Sequence, residues 1–282
     1  MANIRIVTDS TADLPPALIV ELGITVVPLE VNFADRSYRD GVDLTPAEFY
    51  TKLQASPTTP TTSQPSVGAF VEAYEALARD ADGILSIHLS SALSGTYNSA
   101  MLARETLGER CPVEVIDSRQ ASLGMGLIVI SCARLARQGA SLAELADHAR
   151  RLIPMTHTLF LVETLEYLQR GGRIGRAAAF LGTLLSVRPL LLIEDGAVKP
   201  VERVRTRGKG VDRLIQSAES YGKIESVAIL QATTPEDVEP MVARLAARVP
   251  RERIIVGQVG TVIGTHTGPG VLGIVVCEGA AD

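Results

Sequence analysis

The sequence predicts an α/β protein that has a doubly wound, mainly parallel sheet in an N-terminal domain and an α+β arrangement in a C-terminal domain. Up to about residue 154, short β-branched segments alternate with helical segments, an order that favours a parallel sheet with helices on both faces. Past Pro154 this alternation ends, and Asp195-Gly196 between two apolar runs indicates an antiparallel hairpin. We therefore expect domains at residues 1–154 and 155–282.

The first strand is predicted at residues 4–8, where isoleucine, valine and threonine predominate. A second strand is predicted at residues 24–31. Thr45 and Glu48 have the spacing of a capping box, which opens a helix that extends to residue 54. Residues 56–66 combine three prolines with many hydroxyl side chains, and we expect them to form a loop.

The other elements follow from caps and hydrophobic periodicity. Pro15 and Pro16 suit the first turn of a helix that ends before Gly23. Ser66 and Ser141 are expected to cap helices, because serine side chains accept hydrogen bonds from the free N–H groups of a first turn. Further helices are predicted at residues 67–79, 97–107, 122–138, 142–154, 165–170, 210–221 and 235–248, and strands at 83–89, 113–117, 158–162, 190–194, 197–205, 227–231, 254–259 and 271–277.

The composition excludes several classes of protein. The 282 residues include 27 Lys+Arg against 32 Asp+Glu, a formal net charge of −5, and only 4% aromatic residues, so a nucleic-acid-binding surface is not expected. The three cysteines lie too far apart for a zinc knuckle or a disulfide framework. The longest apolar runs, residues 123–133 and 177–187, are too short to span a bilayer. We expect a cytoplasmic protein with reduced cysteines and no transmembrane segment.

Three hydroxyl-rich segments follow predicted strands, at residues 9–11, 61–66 and 90–96. In doubly wound sheets ligands bind beyond the carboxyl ends of strands, where helix N-termini offer unpaired N–H groups. Together these segments could form an anion site. The alternative interpretation is that each serves only as a cap or a turn, which is the ordinary use of serine and threonine there.

Two glycine-rich segments follow in the C-terminal half. Residues 170–176 hold three arginines in a flexible turn, which suits a phosphate or an acidic partner, or else a plain helix C-cap with solvated arginines. Residues 264–270 are expected to form a loop that exposes His266, which is alternatively an ordinary surface residue. A weak nucleophile-elbow pattern leaves open a serine-dependent acyl hydrolase that uses Ser94 or Ser91 with His266.

Six motifs are distributed over nearly the whole sequence. They are residues 8–14, Thr62-Ser63-Gln64-Pro65-Ser66, residues 89–100 with Leu93-Ser94-Gly95-Thr96, Gly171-Gly172-Arg173-Ile174, Val204-Arg205-Thr206 and Thr265-His266-Thr267-Gly268-Pro269-Gly270. In these motifs and their order, the chain resembles the DegV family of bacterial fatty-acid-binding proteins.

This resemblance implies a carrier that holds one long-chain fatty acid, such as palmitate, in a buried tunnel closed by the C-terminal domain. Matched by motif, Thr62 and Ser94 would bind the carboxylate, and Ser91, Arg173 and His266 would lie at the head group or at a docking surface. A separate fatty acid kinase would phosphorylate the carboxylate for phospholipid synthesis. The resemblance implies no catalytic residue, metal or cofactor in this chain.

Overall fold

A computed structural model of the chain describes residues 2–34, 36–182 and 187–279. Its strands are β1 (Ile4–Asp9), β2 (Thr25–Val27), β3 (Glu30–Asn32), β4 (Ser37–Arg39), β5 (Thr61–Ser63), β6 (Gly83–His88), β7 (Val113–Asp117), β8 (Thr156–Leu161), β9 (Arg188–Glu194), β10 (Ala197–Val204), β11 (Ile224–Gln231), β12 (Ile254–Gln258) and β13 (Leu272–Glu278). Its α-helices are α1 (Pro16–Leu22), α2 (Pro46–Ala55), α3 (Val67–Leu77), α4 (Thr96–Leu107), α5 (Leu123–Arg137), α6 (Leu142–Leu152), α7 (Glu166–Arg170), α8 (Arg207–Glu219), α9 (Val238–Leu245) and α10 (Thr261–Thr267).

The predicted doubly wound sheet is confirmed. Strands β2, β1, β6 and β7 lie side by side in that order and all pair in parallel. Helices α3 and α4 cover one face of this sheet, and α5 and α6 cover the other. Because the chain passes from β1 to β2 on one side and later to β6 on the other, the strand order reverses between β1 and β6. Ligand sites in doubly wound sheets lie at such a reversal.

The C-terminal strands form a mixed six-stranded sheet in the order β10-β9-β8-β13-β11-β12. The predicted hairpin is confirmed, because β9 and β10 pair antiparallel around Asp195-Gly196. One face of the sheet packs on α8 and α9. The other face packs on α5, which is therefore buried between the two large sheets. This placement explains why the α5 sequence is apolar along most of its length.

The predicted caps are also confirmed. Thr45 and Glu48 form a capping box at the start of α2, as do Ser141 and the glutamate three residues later at the start of α6. The Ser66 hydroxyl accepts a hydrogen bond from a first-turn N–H of α3. These contacts depend on neighbours in sequence alone, which is why the sequence reveals them.

Three expected elements are corrected by the structure. The run at residues 24–31 is two strands in two different sheets, because Pro28 lacks the N–H that a continuous strand would use. The expected loop at 56–66 contains β5, which pairs with β3 and places Thr62 opposite Val31. The expected loop at 264–270 begins inside α10, and His266 lies in the last turn of that helix.

All described strands before residue 154 belong to the four- and three-stranded sheets, and all those after it belong to the six-stranded sheet. We retain the domain division at residues 1–154 and 155–282 as a proposal on this basis. No helix within the described parts of the chain has the length and apolar character needed to cross a membrane. Residues 183–186 of the apolar run 177–187 lie outside the described residues.

Candidate functional site

A largely apolar cavity lies beyond the carboxyl ends of the parallel strands, between that sheet and the inner face of the six-stranded sheet. Its volume is about 160 Å³. On the same measure of volume, a single water molecule requires about 10–15 Å³. It therefore has room for a chain of roughly ten or more water-sized groups. Its apolar lining consists of Leu29, Leu89, Leu93, Ala121, Phe160, Leu168, Ile193, Val198, Leu230, Val259, Val262, Ile263, Val271 and Gly273, and its polar lining of Thr62, Gln64, Ser94, Ser122, Thr158, Arg173, His266 and Thr267.

A hydrogen bond between Thr62 and His266 joins two segments that are far apart in sequence. Thr62 lies in β5 and His266 in α10, and the distance between Thr62 Oγ1 and His266 Nε2 is 2.8 Å. The sequence suggested that His266 is an exposed loop residue, but it is a half-buried residue of a helix. Burial, and secondly the positive charge of Arg173, lowers the pKa of His266 to about 4. The imidazole is neutral at pH 7.

The surroundings of His266 determine which ring nitrogen carries the proton. Nδ1 is buried and has no hydrogen-bond partner. A buried N–H without a partner is rarer and less favourable than a bare acceptor, so we assign the proton to Nε2. Nε2–H then donates to Thr62 Oγ1, and the Thr62 hydroxyl hydrogen remains available to another acceptor. The polar end of the cavity thus presents Thr62 as a hydrogen-bond donor.

The ring of His266 also requires a glycine beside it. A β-carbon built on Gly171 would lie well inside contact distance of His266 Nδ1. Arg173 of this segment is half-buried, which the C-cap interpretation with solvated arginines does not account for, whereas Gly171 is the C-cap of α7, as that interpretation expects. The same residue has a second use, because only glycine leaves enough space for His266 to reach Thr62.

Ser94 follows β6 and reaches the same cavity at the start of α4. Its Oγ lies 2.9 Å from Thr96 Oγ1 and accepts a hydrogen bond of 3.3 Å from the Thr96 N–H. Gln64 also lines the cavity, and its Nε2 donates to Ser99 Oγ over 3.0 Å. We did not predict a separate role for Gln64, although it lies within the Thr-Ser-Gln-Pro-Ser motif.

Arg173 bridges two segments at the edge of the cavity. Its Nε donates to the Leu93 carbonyl over 3.0 Å, and its Nη1 donates to the Gly171 carbonyl over 2.7 Å. The half-buried guanidinium therefore connects the turn after β6 with the turn after α7. Arg170 and Arg176, the other arginines of this segment, are exposed.

Two of the three hydroxyl-rich segments converge on the cavity, and the first does not. The Ser10 hydroxyl accepts a hydrogen bond from the Leu29 N–H over 3.0 Å, and Thr11 is bonded to Asp9. Neither side chain is among the described cavity-lining residues. Asp9 caps the 3-10 turn at residues 10–12, as the alternative interpretation expects, whereas Ser10 joins this turn to the segment before β3.

Ser91 does not line the described cavity either. It is exposed, and its Oγ donates to Asp117 Oδ2 over 2.5 Å. The structure thus separates Ser91 from Thr62, Ser94 and His266. The head-group role that the resemblance implies for Ser91 gains no support from this position, and both the head-group and the docking role stay proposals.

A serine, a histidine and an aspartate do meet elsewhere in the chain, at Ser86, His88 and Asp9. The Ser86 Oγ to His88 Nε2 distance is 2.7 Å, and the His88 Nδ1 to Asp9 Oδ2 distance is 2.9 Å. All three side chains are completely buried, and Ser86 Oγ also accepts a hydrogen bond from the Tyr74 hydroxyl. A substrate cannot reach this serine, so the group is a structural hydrogen-bond network.

The hydrolase alternative gains no support from the site. A nucleophilic serine needs a base within hydrogen-bond reach. His266 Nε2 is paired with Thr62, and the Ser94 hydroxyl is paired with Thr96. The pattern at residues 91–95 is a strand-to-helix turn without the partners that an acyl hydrolase uses.

Two buried carboxylates hold the first residues of α10, the helix that carries His266. Asp13 Oδ1 accepts a hydrogen bond of 3.0 Å from the Gly260 N–H, and Asp13 Oδ2 accepts one from the Ser122 hydroxyl. Asp40 Oδ1 accepts from the N–H and the hydroxyl of Thr261, over 3.2 and 2.7 Å. The end of α10 near the parallel sheet is thereby set by two residues that precede it by more than 200 positions in sequence.

Burial raises the pKa of Asp13 well above its ordinary value, and the nearby Asp40 and Asp9 raise it further. The raised pKa of Asp13 contributes stability that is fully present below about pH 4 and is lost as the pH rises through the folded-state pKa. We expect Asp13→Asn to remove this loss. Its amide oxygen can accept from the Gly260 N–H, its Nδ2 can donate to the Ser122 hydroxyl oxygen, and asparagine tolerates the left-handed backbone at φ 50°. The melting temperature of Asp13→Asn relative to the unsubstituted protein should therefore increase from pH 4 to pH 8.

Asp13→Ala is the comparison for that experiment. It leaves the Gly260 N–H and the Ser122 hydroxyl without a partner, and it should be less stable than Asp13→Asn by about 1–3 kcal/mol at every pH, because neither variant titrates at this position. Denaturant unfolding measures this loss. Equal destabilisation by asparagine and alanine would contradict the proposed effect of the buried charge.

Comparison with known proteins assigns nearly the whole chain to one protein family. Residues 3–279 match the model of the DegV family, whose description calls it uncharacterised. Protein DegV of Bacillus subtilis is 37% identical over 281 residues, which cover 98% of this chain and 99% of that protein. A DegV-domain protein of Streptomyces coelicolor is 39% identical over 278 residues, covering 97% of this chain and 98% of the relative.

Solved structures of related proteins superpose on this chain over nearly its whole length. A DegV family protein of Thermus thermophilus, described as binding fatty acid, superposes with a TM-score of 0.91 at 39% identity and covers 99% of this chain and 100% of its own. The Bacillus subtilis DegV structure, described as a fatty acid binding protein, has a TM-score of 0.88 at 34% identity, with coverage of 99% and 100%. A stearic-acid-binding protein of Eubacterium ventriosum has a TM-score of 0.88 at 28% identity, with coverage of 99% and 98%.

Proposed function

The chain belongs to the DegV family, and on that premise we propose that it binds one long-chain fatty acid and presents the carboxylate to a fatty acid kinase. The observation that carries the proposal is the polarity of the cavity. Thr62, Ser94, Arg173 and His266 bring hydrogen-bonding groups to it, while most of the remaining lining is aliphatic. A ligand with one polar head and one alkyl tail fits such a cavity.

The tail supplies most of the affinity in this proposal. Burial of an alkyl chain yields about 0.8 kcal/mol per methylene, so about 15 methylenes gain on the order of 12 kcal/mol before the costs of association. Phe160 is the only phenylalanine, tyrosine or tryptophan among the described lining residues. A lining made largely of Leu, Ile and Val suits a flexible chain.

The head group is held in the proposal by uncharged donors. The Thr62 hydroxyl, oriented by His266 Nε2–H, and the Ser94 hydroxyl would each donate one hydrogen bond to the carboxylate. Arg173 already donates through Nε and Nη1 to two backbone carbonyls, and in the proposal it keeps these partners instead of forming a bidentate clamp on the ligand. Carboxylate lone pairs therefore remain free to attack a phosphoryl group.

Identification of the ligand by mass spectrometry tests the proposal. We expect the purified protein to show a mass increment equal to one long-chain fatty acid under native conditions and to release that acid on denaturation. A covalent acyl-serine adduct that persists after denaturation would instead support the hydrolase. Protein that acquires no fatty acid, even after incubation with palmitate, would contradict the proposed carrier function.

Arg173 lies at the edge of the cavity, where a kinase would have to reach the carboxylate. We expect Arg173→Ala to lower the kinase-dependent formation of acyl phosphate about tenfold, equivalent to about 1.4 kcal/mol, and to change fatty-acid affinity less. The measurements are phosphate transfer with a purified DegV-partner kinase and fatty-acid titration. The exposed Arg134, on the distant half of α5, provides Arg134→Ala as the control. Equal losses of binding and of phosphorylation in Arg173→Ala would rule out a docking role.

A further inference from the structure

We propose that Gly273 sets the length of the acyl chain that the cavity accepts, an inference that rests on the proposed function. Gly273 lies in β13, which is an interior strand of the six-stranded sheet. Among the described lining residues it is the only glycine, and it faces the cavity between two large side chains. A glycine in the interior of a strand weakens the strand and often marks close approach of a ligand.

The strand register defines the position of Gly273 in the cavity. Gly273 pairs with Leu230 on one side and with Phe160 on the other, and both neighbours also line the cavity. The floor of the cavity therefore has a row of three residues whose central side chain is missing. This gap is a groove that crosses the sheet between a leucine and a phenylalanine.

Neither the backbone nor the packing requires glycine at this position. Gly273 is not among the described residues with positive φ. A β-carbon built on it would lie 3.6 Å from the Leu159 carbonyl oxygen and 3.6 and 3.7 Å from the β-carbons of Phe160 and Leu230, which are ordinary contacts. At Gly210, by contrast, a β-carbon would collide with Leu161. The side chain absent at Gly273 is therefore replaced by open cavity, not by protein.

Past Gly273 the cavity continues over β8 and β9 but not along β13 itself. The next residue on the same face of β13, Val275, is completely buried in the core and is not among the described lining residues. Thr158, which pairs with Val275, and Ile193, which pairs with Thr158, do line the cavity. A ligand tail that enters from the Thr62 end would pass over Gly273 before it reaches Thr158 and Ile193.

A side chain at residue 273 would close this last part of the cavity. One further row of the sheet is two residues along a strand, about 6.6 Å, which is the length of about five methylenes in an extended alkyl chain. We therefore expect Gly273→Val to exclude long acids and to retain short ones. Gly273→Ala should have a smaller effect in the same direction.

The test measures dissociation constants for decanoate, dodecanoate, palmitate and stearate with delipidated protein. For Gly273→Val we expect palmitate and stearate to bind at least about tenfold more weakly, with decanoate changed by less than about threefold. Gly222→Val is the matched control, because Gly222 is exposed and a β-carbon there meets no atom within 4 Å. Its affinities should equal those of the unsubstituted protein.

The outcomes separate this inference from the proposed function. If the unsubstituted protein binds none of the acids, the proposed function fails. If it binds them and Gly273→Val weakens all four equally, or none, the inference about Gly273 is wrong. Thermal unfolding of each variant establishes that it is folded. If Gly273→Val does not fold, Gly273→Ala provides the test: its affinity for stearate should fall, and its affinity for decanoate should not.

Discussion

Replacing Thr62 and Ser94 together by alanine is expected to lower the affinity for palmitate by about a hundred- to ten-thousandfold. Each hydroxyl would donate one hydrogen bond to a charged carboxylate, and such bonds contribute about 1.5–3 kcal/mol each. The loss is large because the carboxylate would enter a partly desolvated site without its donors. Fatty-acid titration of delipidated protein measures the affinity, and acyl phosphate formation reports on the orientation of the head group.

Thr61→Ala is the matched control for this experiment. Thr61 is the preceding residue of β5, is exposed, and is absent from the described cavity lining. Its substitution should leave palmitate affinity unchanged within about threefold, a difference of less than 1 kcal/mol. Unaltered retention and phosphorylation of palmitate by the Thr62→Ala/Ser94→Ala protein would exclude these hydroxyls as the carboxylate ligands.

Gly171→Ala is expected to have the second largest effect. The added β-carbon would lie well inside contact distance of His266 Nδ1, so we expect the imidazole to move and its hydrogen bond to Thr62 to be lost. Overpacking of this kind typically costs about 1–3 kcal/mol of stability. Palmitate affinity should fall with it, because the Thr62 hydroxyl then has no fixed orientation.

NMR titration of the His266 imidazole gives a readout beyond stability. We expect a pKa of about 4 in the unsubstituted protein and a higher value in Gly171→Ala, since a displaced ring is more exposed to water. Gly208→Ala in α8 is the control, because a β-carbon there meets no atom within 4 Å. A His266 pKa that does not change in Gly171→Ala would show that the two residues are not coupled in this way.

Local signals in the sequence predicted most of the fold. The capping boxes at Thr45 and Ser141 and the hairpin at Asp195-Gly196 depend on residues within a few positions of one another. The alternation of strands and helices predicted the parallel sheet. The strand β5 was missed because prolines flank its three residues, although threonine favours strands.

The candidate site was predicted less completely. The family resemblance selected Thr62, Ser94, Arg173 and His266, and the structure brings all four to one cavity. It does not bring Ser91 there. Residues 264–267 of the exposed loop expected around His266 belong to α10, whose first N–H groups are satisfied by Asp13 and Asp40 from distant positions. No window of the sequence around residue 266 contains these acceptors.

Most strands and helices, their caps and the hairpin can be predicted from the sequence, because they depend on hydrogen bonds and dihedral preferences within a few residues. Which polar residues share a site, and which glycines leave space, depends on how distant segments pack. Thr62 and His266 are 204 residues apart, yet they are joined by one hydrogen bond. The neutral charge state of that histidine results from burial, and burial is a property of the packed chain.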